Sequence, residues 1–195
     1  NSYQTETGFK LIDTDYSFTG SWFTMNKTNN ATFSPGNPNN ILYVGELNTN
    51  GFELDGRYKL PWIPGVTLKA NYANLNTSVL QDLDPTLIGK QYPSIPKNQV
   101  GSWIQYDTMI NEYPVGVGTG AHYIGQRYAD INNTIILPAY TTVDMMAYMD
   151  VTKNVKVSLN MKNIGNAKYY AGASSPLAIM QGTPFVAMFS VQIRY

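Results

Sequence analysis

The amino-acid sequence predicts an all-β fold of about nine antiparallel strands that form a segment of a transmembrane β-barrel. Three observations lead to this prediction. First, the 195 residues include only 13 Lys and Arg and 13 Asp and Glu, about half the charged fraction of a soluble domain. The 15 Tyr and 3 Trp suit strands with an aromatic girdle. Second, several segments alternate between apolar and polar residues. Third, short connections take turns with long ones, as in bacterial outer-membrane barrels.

The alternation recurs along the chain. Residues 52–58 place Phe, Leu, Gly and Tyr on one face and Glu, Asp and Arg on the other. Residues 66–72, 115–123 and 155–161 alternate in the same way, and residues 185–195 end the series with Phe, Ala, Phe, Val, Ile and Tyr on one face. The polar faces bear charges, and the strands are too long and too numerous for a two-layer core of this size. A membrane barrel wall is therefore favoured over a soluble β-sandwich.

Turn residues divide the chain into nine strands. Short connections are predicted at 12–15, 61–65, 110–114 and 152–153, and long ones at 30–39, 80–96, 128–137 and 165–183. The strands are predicted at 3–11, 15–29, 40–60, 65–79, 97–109, 114–128, 138–151, 154–164 and 184–195. Single-chain bacterial barrels have an even number of strands, so nine strands are expected to leave open edges that the rest of the protein must pair. Merging or splitting one segment would restore an even barrel.

The first residue and the composition lead to further predictions, about the extent of the chain and about its partners. Without an initiator Met or a signal peptide, Asn1 is expected to be an internal position of a longer chain. Zero net charge with scattered basic residues argues against a nucleic-acid partner. The absence of cysteine excludes disulfides and thiolate metal ligands, and no apolar run approaches the roughly 20 residues of a membrane-spanning helix.

No catalytic residue is expected. Residues 116–121 match a dinucleotide-binding pattern, but that pattern needs a helix after it, whereas the strand alternation continues through 115–123. The glycines are instead expected to let another group pack closely against the lumen side. His122 is the only histidine, and it is expected to face the lumen rather than to bind a metal. The same placement is expected for Glu53, Asp55, Asp144 and Asp150.

Aromatic residues are expected in two roles. Those near the predicted strand ends are expected to form the lipid-facing girdles, namely Tyr16, Trp22, Tyr58, Trp62, Tyr72, Tyr106, Tyr123 and Tyr195. Those above the rim are harder to explain as lipid anchors and are candidates for contact with a ligand, namely Tyr43, Tyr92, Tyr128, Tyr169 and Tyr170.

A series of short motifs resembles one family in order and spacing. Residues 45–54, Gly-Glu-Leu-Asn-Thr-Asn-Gly-Phe-Glu-Leu, resemble the Gly-Glu-x-x-x-x-Gly-x-Glu-hydrophobic segment of TonB-dependent siderophore receptors. Further resemblances are at 3–10, 95–98 with Trp103 and Tyr106, 123–128, 137–144, and 159–164 with Tyr169 and Tyr170. The last residues, Val-Gln-Ile-Arg-Tyr, are similar to a terminal β-signal. Asn-Ile-Gly-Asn at 163–166 replaces the commoner Asn-Leu-Phe-Asp, and the final long loop lacks the cysteine pair seen in some members of the family. These two departures leave the chemistry of the loops, and hence the ligand's identity, open.

The resemblance implies a 22-stranded plugged barrel in the bacterial outer membrane that imports a ferric siderophore. Residues 1–195 would form its C-terminal portion, in contact with outer-membrane lipid, and the plug domain, the N-terminal strands and the TonB-binding segment would lie elsewhere. No cofactor is expected, since the siderophore itself carries the iron. Another cargo such as haem, cobalamin or a sugar is an alternative, as is a passive porin or adhesin barrel.

Overall fold

The computed structural model describes residues 1–34, 37–175 and 177–194. Nine strands form one antiparallel sheet, in which neighbours are consecutive except that two small hairpins interrupt the order β1-β2-β3-β4-β5-β6-β9-β10-β13. The strands of this sheet are β1 (Ser2–Ile12), β2 (Tyr16–Ser34), β3 (Asn37–Lys59), β4 (Val66–Gln81), β5 (Asn98–Ile110), β6 (Tyr113–Ile124), β9 (Tyr140–Asp150), β10 (Val155–Lys162) and β13 (Val186–Ile193). The hairpins pair β7 (Arg127–Tyr128) with β8 (Ile136–Leu137) and β11 (Tyr170–Ser175) with β12 (Ala178–Gln181).

The prediction of nine antiparallel strands is confirmed. A single 3-10 turn, Pro85–Leu87, is the one helical element in the described part of the chain. No helix of the described residues is long and apolar enough to cross a membrane.

The long loop predicted at 30–39 is wrong for residues 30–34 and 37–39, which belong to β2 and β3 and form a long hairpin; the prediction for residues 35 and 36 lies outside the described residues. Asparagines, a glycine and two prolines made the segment resemble a turn. The pairing instead absorbs an irregularity between Lys27 and Asn30 as a register shift, where Asn29 has a φ of 58°. Asn tolerates this left-handed conformation better than most residues, and the ladder then resumes beyond the bulge.

The strand predicted at 114–128 is also wrong at its end. The last ladder bond of this segment runs from the N–H of Gly125 to the carbonyl of Asn98, and β7 then leaves the sheet. On the opposite side β9 begins only at Tyr140, which pairs with Ile124. Pro138 has no N–H with which to extend that ladder, so the chain separates from the sheet here and folds into the β7–β8 hairpin.

Cross-strand register sorts the side chains onto two faces. One row of directly paired residues on what we term the outer face is Tyr16, Tyr58, Leu68, Ile104, Thr119 and Met145. One row on the opposite, inner face is Thr19, Asp55, Asn71, Gly101, His122 and Thr142. His122 and Asp55 therefore lie on the polar face, as the alternation predicted.

The sheet has a single layer and a very small core. The buried apolar residues among those described are only Val66, Val79, Ala129 and Leu137, whereas the outer face exposes large apolar side chains such as Phe9, Leu68 and Ile104. An exposed apolar face of this extent marks contact with a membrane or another protein.

Side chains of neighbouring strands pack closely against the glycines at 116–120 on the inner face, as the sequence predicted. The Trp103 ring lies across Gly118 and Gly120, so that a Cβ at Gly118 would stand only 2.7 Å from the ring. Tyr148 and Asp107 cover Gly116 in the same way, and the Tyr148 hydroxyl donates a hydrogen bond of 2.7 Å to Asp107. The aromatic rings take the space that side chains at these positions would fill.

Most of the predicted girdle residues lie at or near strand ends, as expected: Tyr16 begins β2, and Tyr58 and Tyr123 lie one residue from the ends of β3 and β6. Tyr58 and Trp62 contact each other at the short-turn end of the sheet, with ring centres 6.1 Å apart. Trp22 and Tyr72 instead lie within β2 and β4, because these strands continue well past them. Tyr195 lies outside the described residues.

Candidate ligand-binding loops

Three long loops meet at one end of the sheet, opposite the short turns. We name them the first loop (82–97, between β4 and β5), the second loop (125–139, between β6 and β9) and the third loop (163–185, between β10 and β13). The second loop contains β7 and β8, and the third contains β11 and β12. Hydrogen bonds between the loops join them into one unit.

Asn133 links the second loop to the first. Its Oδ1 accepts a bond of 2.8 Å from the N–H of Gln91, and its Nδ2 donates one of 2.8 Å to the carbonyl of Gln91. Asn133 has a φ of 59°, a conformation that Asn adopts more readily than most residues. One side chain therefore satisfies both backbone groups of a residue 42 positions away.

Ser94 joins the first loop to both of the others. Its N–H donates a bond of 2.7 Å to the carbonyl of Tyr128. Its hydroxyl donates to the carbonyl of Ala173 and accepts from the N–H of Ala173, both at 2.9 Å. A single residue thus anchors β7 and β11 to the first loop.

Arg127 is the buried centre of the loop unit, with only 2% of its surface exposed. Its Nη2 donates hydrogen bonds to the carbonyls of Tyr170 and Ala171, the latter at 3.0 Å, and its Cζ lies 5.4 Å from the centre of the Tyr140 ring. Burial lowers the pKa of this guanidinium, and Tyr140 opposes that change. Arg nevertheless stays charged in proteins, so carbonyls and an aromatic face stabilise a buried cation here.

Tyr140 and Tyr169 stack with ring centres 4.0 Å apart. Gly182 lies beneath the Tyr169 ring, where a Cβ would meet ring atoms at 2.2 Å, and its N–H donates a bond of 2.7 Å to the Tyr169 carbonyl. At the base of the third loop, the side chain of Asn163 donates to the carbonyls of Ala167 and Thr183. These contacts give the Tyr169 ring a defined place.

Asp130 holds the turn within the second loop. Its carboxylate accepts bonds from the N–H of Thr134 at 3.0 Å, the hydroxyl of Thr134 at 2.9 Å and the N–H of Ile135 at 2.7 Å. Burial raises the pKa of Asp130, but these hydrogen bonds outweigh it, and the pKa lies below its ordinary value. The folded loop therefore favours the ionised carboxylate.

The candidate tyrosines occupy two regions. Tyr92, Tyr128, Tyr169 and Tyr170 all belong to the three-loop unit; Tyr92 and Tyr170 expose 44% and 45% of their surface. Tyr43 instead lies on β3, paired with Ala31 in the long hairpin, and is 68% exposed. The interlocking hydrogen bonds described above do not include it.

The residues that organise the loops could not be recognised from the sequence. Arg127 and Tyr140 lie within the family-like segments 123–128 and 137–144, but nothing in either segment indicates that they contact each other. Asn133 and Ser94 carried no signal beyond being polar residues in long connections. Their roles depend on partners in other loops.

A one-layer antiparallel sheet with an apolar outer face, a polar inner face and long loops at one end defines the wall of a membrane β-barrel. A family model described as TonB dependent receptor-like, beta-barrel, matches residues 1–164. The chain belongs to this family.

Relatives and solved structures agree with this assignment. The chain is 26% identical over 206 residues to PiuA of Acinetobacter baumannii, which is named as a probable TonB-dependent siderophore receptor. The alignment covers 100% of this chain and 26% of PiuA. The chain is 29% identical over 164 residues to the ferrioxamine B receptor of Salmonella typhimurium, in an alignment that covers 81% of this chain and 23% of that receptor. The crystal structure of PiuA matches with a TM-score of 0.85 and 25% identity, over 100% of this chain and 28% of that one. The chain spans about a quarter of the length of these relatives.

Proposed function

We propose that this chain forms part of the barrel wall and of the ligand-facing loops of an outer-membrane receptor that imports ferric siderophores with energy delivered through TonB. One observation carries the proposal. Three long loops interlock at a single end of the sheet through Arg127, Asn133 and Ser94, and they present tyrosines from a fixed framework. Family membership and the names of the relatives support the siderophore as cargo.

The tyrosines suit a large organic chelator. An aromatic ring stacks on apolar or conjugated parts of a ligand, and its hydroxyl can donate or accept a hydrogen bond at the edge of the ring. Tyr92, Tyr128, Tyr169 and Tyr170 would contact the ligand from the three-loop unit, and Tyr43 would approach from the long hairpin. The iron would stay within the siderophore, so this chain would supply neither a resident cofactor nor a catalytic residue.

The remainder of the protein would complete the assembly. The chain spans about a quarter of its relatives' length, and we place residues 1–195 in the C-terminal part of the barrel. The other strands, the plug and the segment that contacts TonB would come from the rest of the protein. Outer-membrane lipid would cover the outer face.

Uptake of radioactive iron tests the proposal. The full-length receptor is expressed in cells that lack their own siderophore receptors, with and without functional TonB. Ferrioxamine B and ferrichrome loaded with ⁵⁵Fe are the first probes, since related receptors are named for these compounds. We expect uptake of a ferric siderophore only where TonB functions. Uptake that does not depend on TonB would favour a passive channel. TonB-dependent uptake of haem or cobalamin, with no uptake of a ferric siderophore, would indicate another cargo.

Variants then test the loops. Tyr169→Ala and Tyr170→Ala are expected to weaken binding of the imported siderophore at least about tenfold, the effect of losing a stacked aromatic contact in a pocket. Tyr113→Ala is the matched control, because Tyr113 lies next to a short turn at the other end of the sheet and is similarly exposed, at 42%. Equal effects of all three changes would contradict the assignment of the site.

A further inference from the structure

The outer face changes from apolar to polar partway along β1 to β5, a feature that the proposed uptake does not explain. From the short turns upward this face carries mainly apolar residues, and the last apolar row on β2 and β3 is the directly paired Trp22 and Phe52. The next rows toward the loops pair Thr24 with Asn50 and Asn26 with Asn48. We name the polar set above the apolar region the amide belt; it comprises Tyr3, Thr24, Asn26, Asn48, Asn50, Asn74 and Asn98.

Hydrogen bonds connect the belt across strands. Asn48 donates to Asn26 and Thr24, and it accepts a bond of 2.8 Å from Asn50. Asn26 in turn donates to the Tyr3 hydroxyl. The members of the belt come from five strands, β1 to β5, and these bonds join three of them, β1 to β3, into one hydrogen-bonded surface.

The inner face changes in the opposite sense at the same level. Gly51, next to Phe52, pairs with Phe23 on one side and Leu75 on the other, whereas the inner face nearer the short turns carries Glu53 and Asp55. Along these strands, from the short turns toward the loops, the apolar side chains therefore change from the outer face to the inner face. A strand whose outer side leaves hydrocarbon no longer needs apolar residues there, so this inversion marks a membrane boundary.

Tyr72 spans this boundary. Its ring packs edge-to-face on Phe52, with centres 5.4 Å apart, and its hydroxyl donates a bond of 2.8 Å to Asn98 Oδ1. Asn98 Oδ1 also accepts a bond of 2.8 Å from Asn74. Tyrosines with an apolar body and a polar tip are typical of the membrane interface. On β2 and β3 the belt begins one strand row above Trp22 and Phe52, whereas on β4 and β5 it begins with Asn74 and Asn98, which continue the Trp22–Phe52 row itself. Four residues of strand from Trp22 to Asn26 span about 13 Å, which keeps the belt at headgroup depth.

We propose that the amide belt binds the saccharide headgroups of glycolipid in the outer leaflet of the membrane. The belt is continuous with the lipid-facing surface below it, and its seven members carry no charge, so it matches sugar hydroxyls better than phosphates. Each amide offers two donors and an acceptor oxygen, and the bonds described for Asn98 use only its oxygen. Asn98 and its neighbours thus retain capacity for a headgroup. This inference depends on membership of the barrel family and not on the imported cargo.

Native mass spectrometry of the full-length receptor tests the proposal. The probes are lipid A carrying its two inner-core sugars and, for comparison, phosphatidylethanolamine. Replacing Asn48 and Asn98 together by alanine is expected to weaken glycolipid binding about five- to tenfold, as for one or two lost hydrogen bonds, with phosphatidylethanolamine binding unchanged. Asn71→Ala is the control, since Asn71 lies on the inner face of β4. Unchanged glycolipid binding, or equal loss of both lipids, overturns the proposal.

A second measurement needs no variant. The wild-type receptor is cross-linked to a lipid A analogue with a diazirine on its headgroup sugar, and the labelled peptides are identified. Labels within 2–5, 22–28, 46–52, 71–76 or 96–100 are expected. Labels confined to other regions would refute the assignment. Siderophore uptake by the alanine pair is measured in parallel, so that failure of the belt and failure of the proposed transport are distinguished.

Discussion

The guanidinium carbon of Arg127 lies 5.4 Å from the centre of the Tyr140 ring, although one residue belongs to the second loop and the other begins β9. Tyr140 in turn stacks on Tyr169 of the third loop, and Arg127 binds two carbonyls of that loop. A buried cation thereby joins the rigid sheet to the loops.

Replacing Arg127 should release the third loop. Hydrogen bonds that involve a charged group contribute about 1.5–3 kcal/mol each, and Arg127→Ala removes the donors to Tyr170 and Ala171. We expect faster amide exchange throughout β11 and β12 and at least about tenfold weaker ligand binding. Lys168→Ala removes an exposed cation from the same loop and should leave both quantities unchanged. Similar exchange in both variants would contradict the role of Arg127.

Removing the side chain of Asn133 should separate the first loop from the second. Asn133→Gly keeps a residue that tolerates the φ of 59° but deletes both bonds to Gln91. We expect the N–H of Gln91 to exchange faster by one to two orders of magnitude, as for a loss of about 1–3 kcal/mol. Asn111→Gly makes the same change at a short turn, where φ is 55°, and should not affect Gln91. An unchanged rate at Gln91 in Asn133→Gly would contradict the link.

Acid should loosen the second loop through Asp130. Its pKa in the folded protein lies below the ordinary value of 3.8, so its contribution to stability is complete above about that pH and is lost as the pH falls through the folded pKa. Exchange at Thr134 and Ile135, corrected for the intrinsic effect of pH, should therefore accelerate below pH 3.8. Asp130→Asn cannot titrate and should give a flat profile. An equally steep profile in that variant would assign the effect to another group.

A larger residue at Gly118 should hinder folding of the barrel. A Cβ there would stand 2.7 Å from the Trp103 ring, and overpacking typically costs about 1–3 kcal/mol. Gly118→Val is expected to reduce the folded, heat-modifiable fraction on a gel, and Trp103→Ala in the same chain should restore part of it. Gly56→Ala is the control, since its nearest neighbour is at 3.4 Å. Failure of Trp103→Ala to restore folding would show that another contact causes the defect.

The sequence alone determined the nature of the wall. A strand between hydrocarbon and an aqueous or plugged interior must alternate with a period of two, so residues such as Leu68 and Asp55 revealed their faces without a structure. The glycines at 116–120 likewise predicted close packing, because they lie within an alternating strand. The partner, Trp103, was not predictable, since it depends on which strand lies beside β6.

Only the tertiary structure decided how the loops are built. Asn133 binds a residue 42 positions away, Ser94 one 79 positions away, and neither loop has a periodic pattern from which such a contact could be inferred. The extended β2–β3 hairpin and the inversion of the apolar phase near Phe52 also required the register, because a shift of one residue exchanges the two faces. Periodicity describes an environment that is uniform along a strand, whereas the loops and the membrane boundary depend on specific partners and on depth.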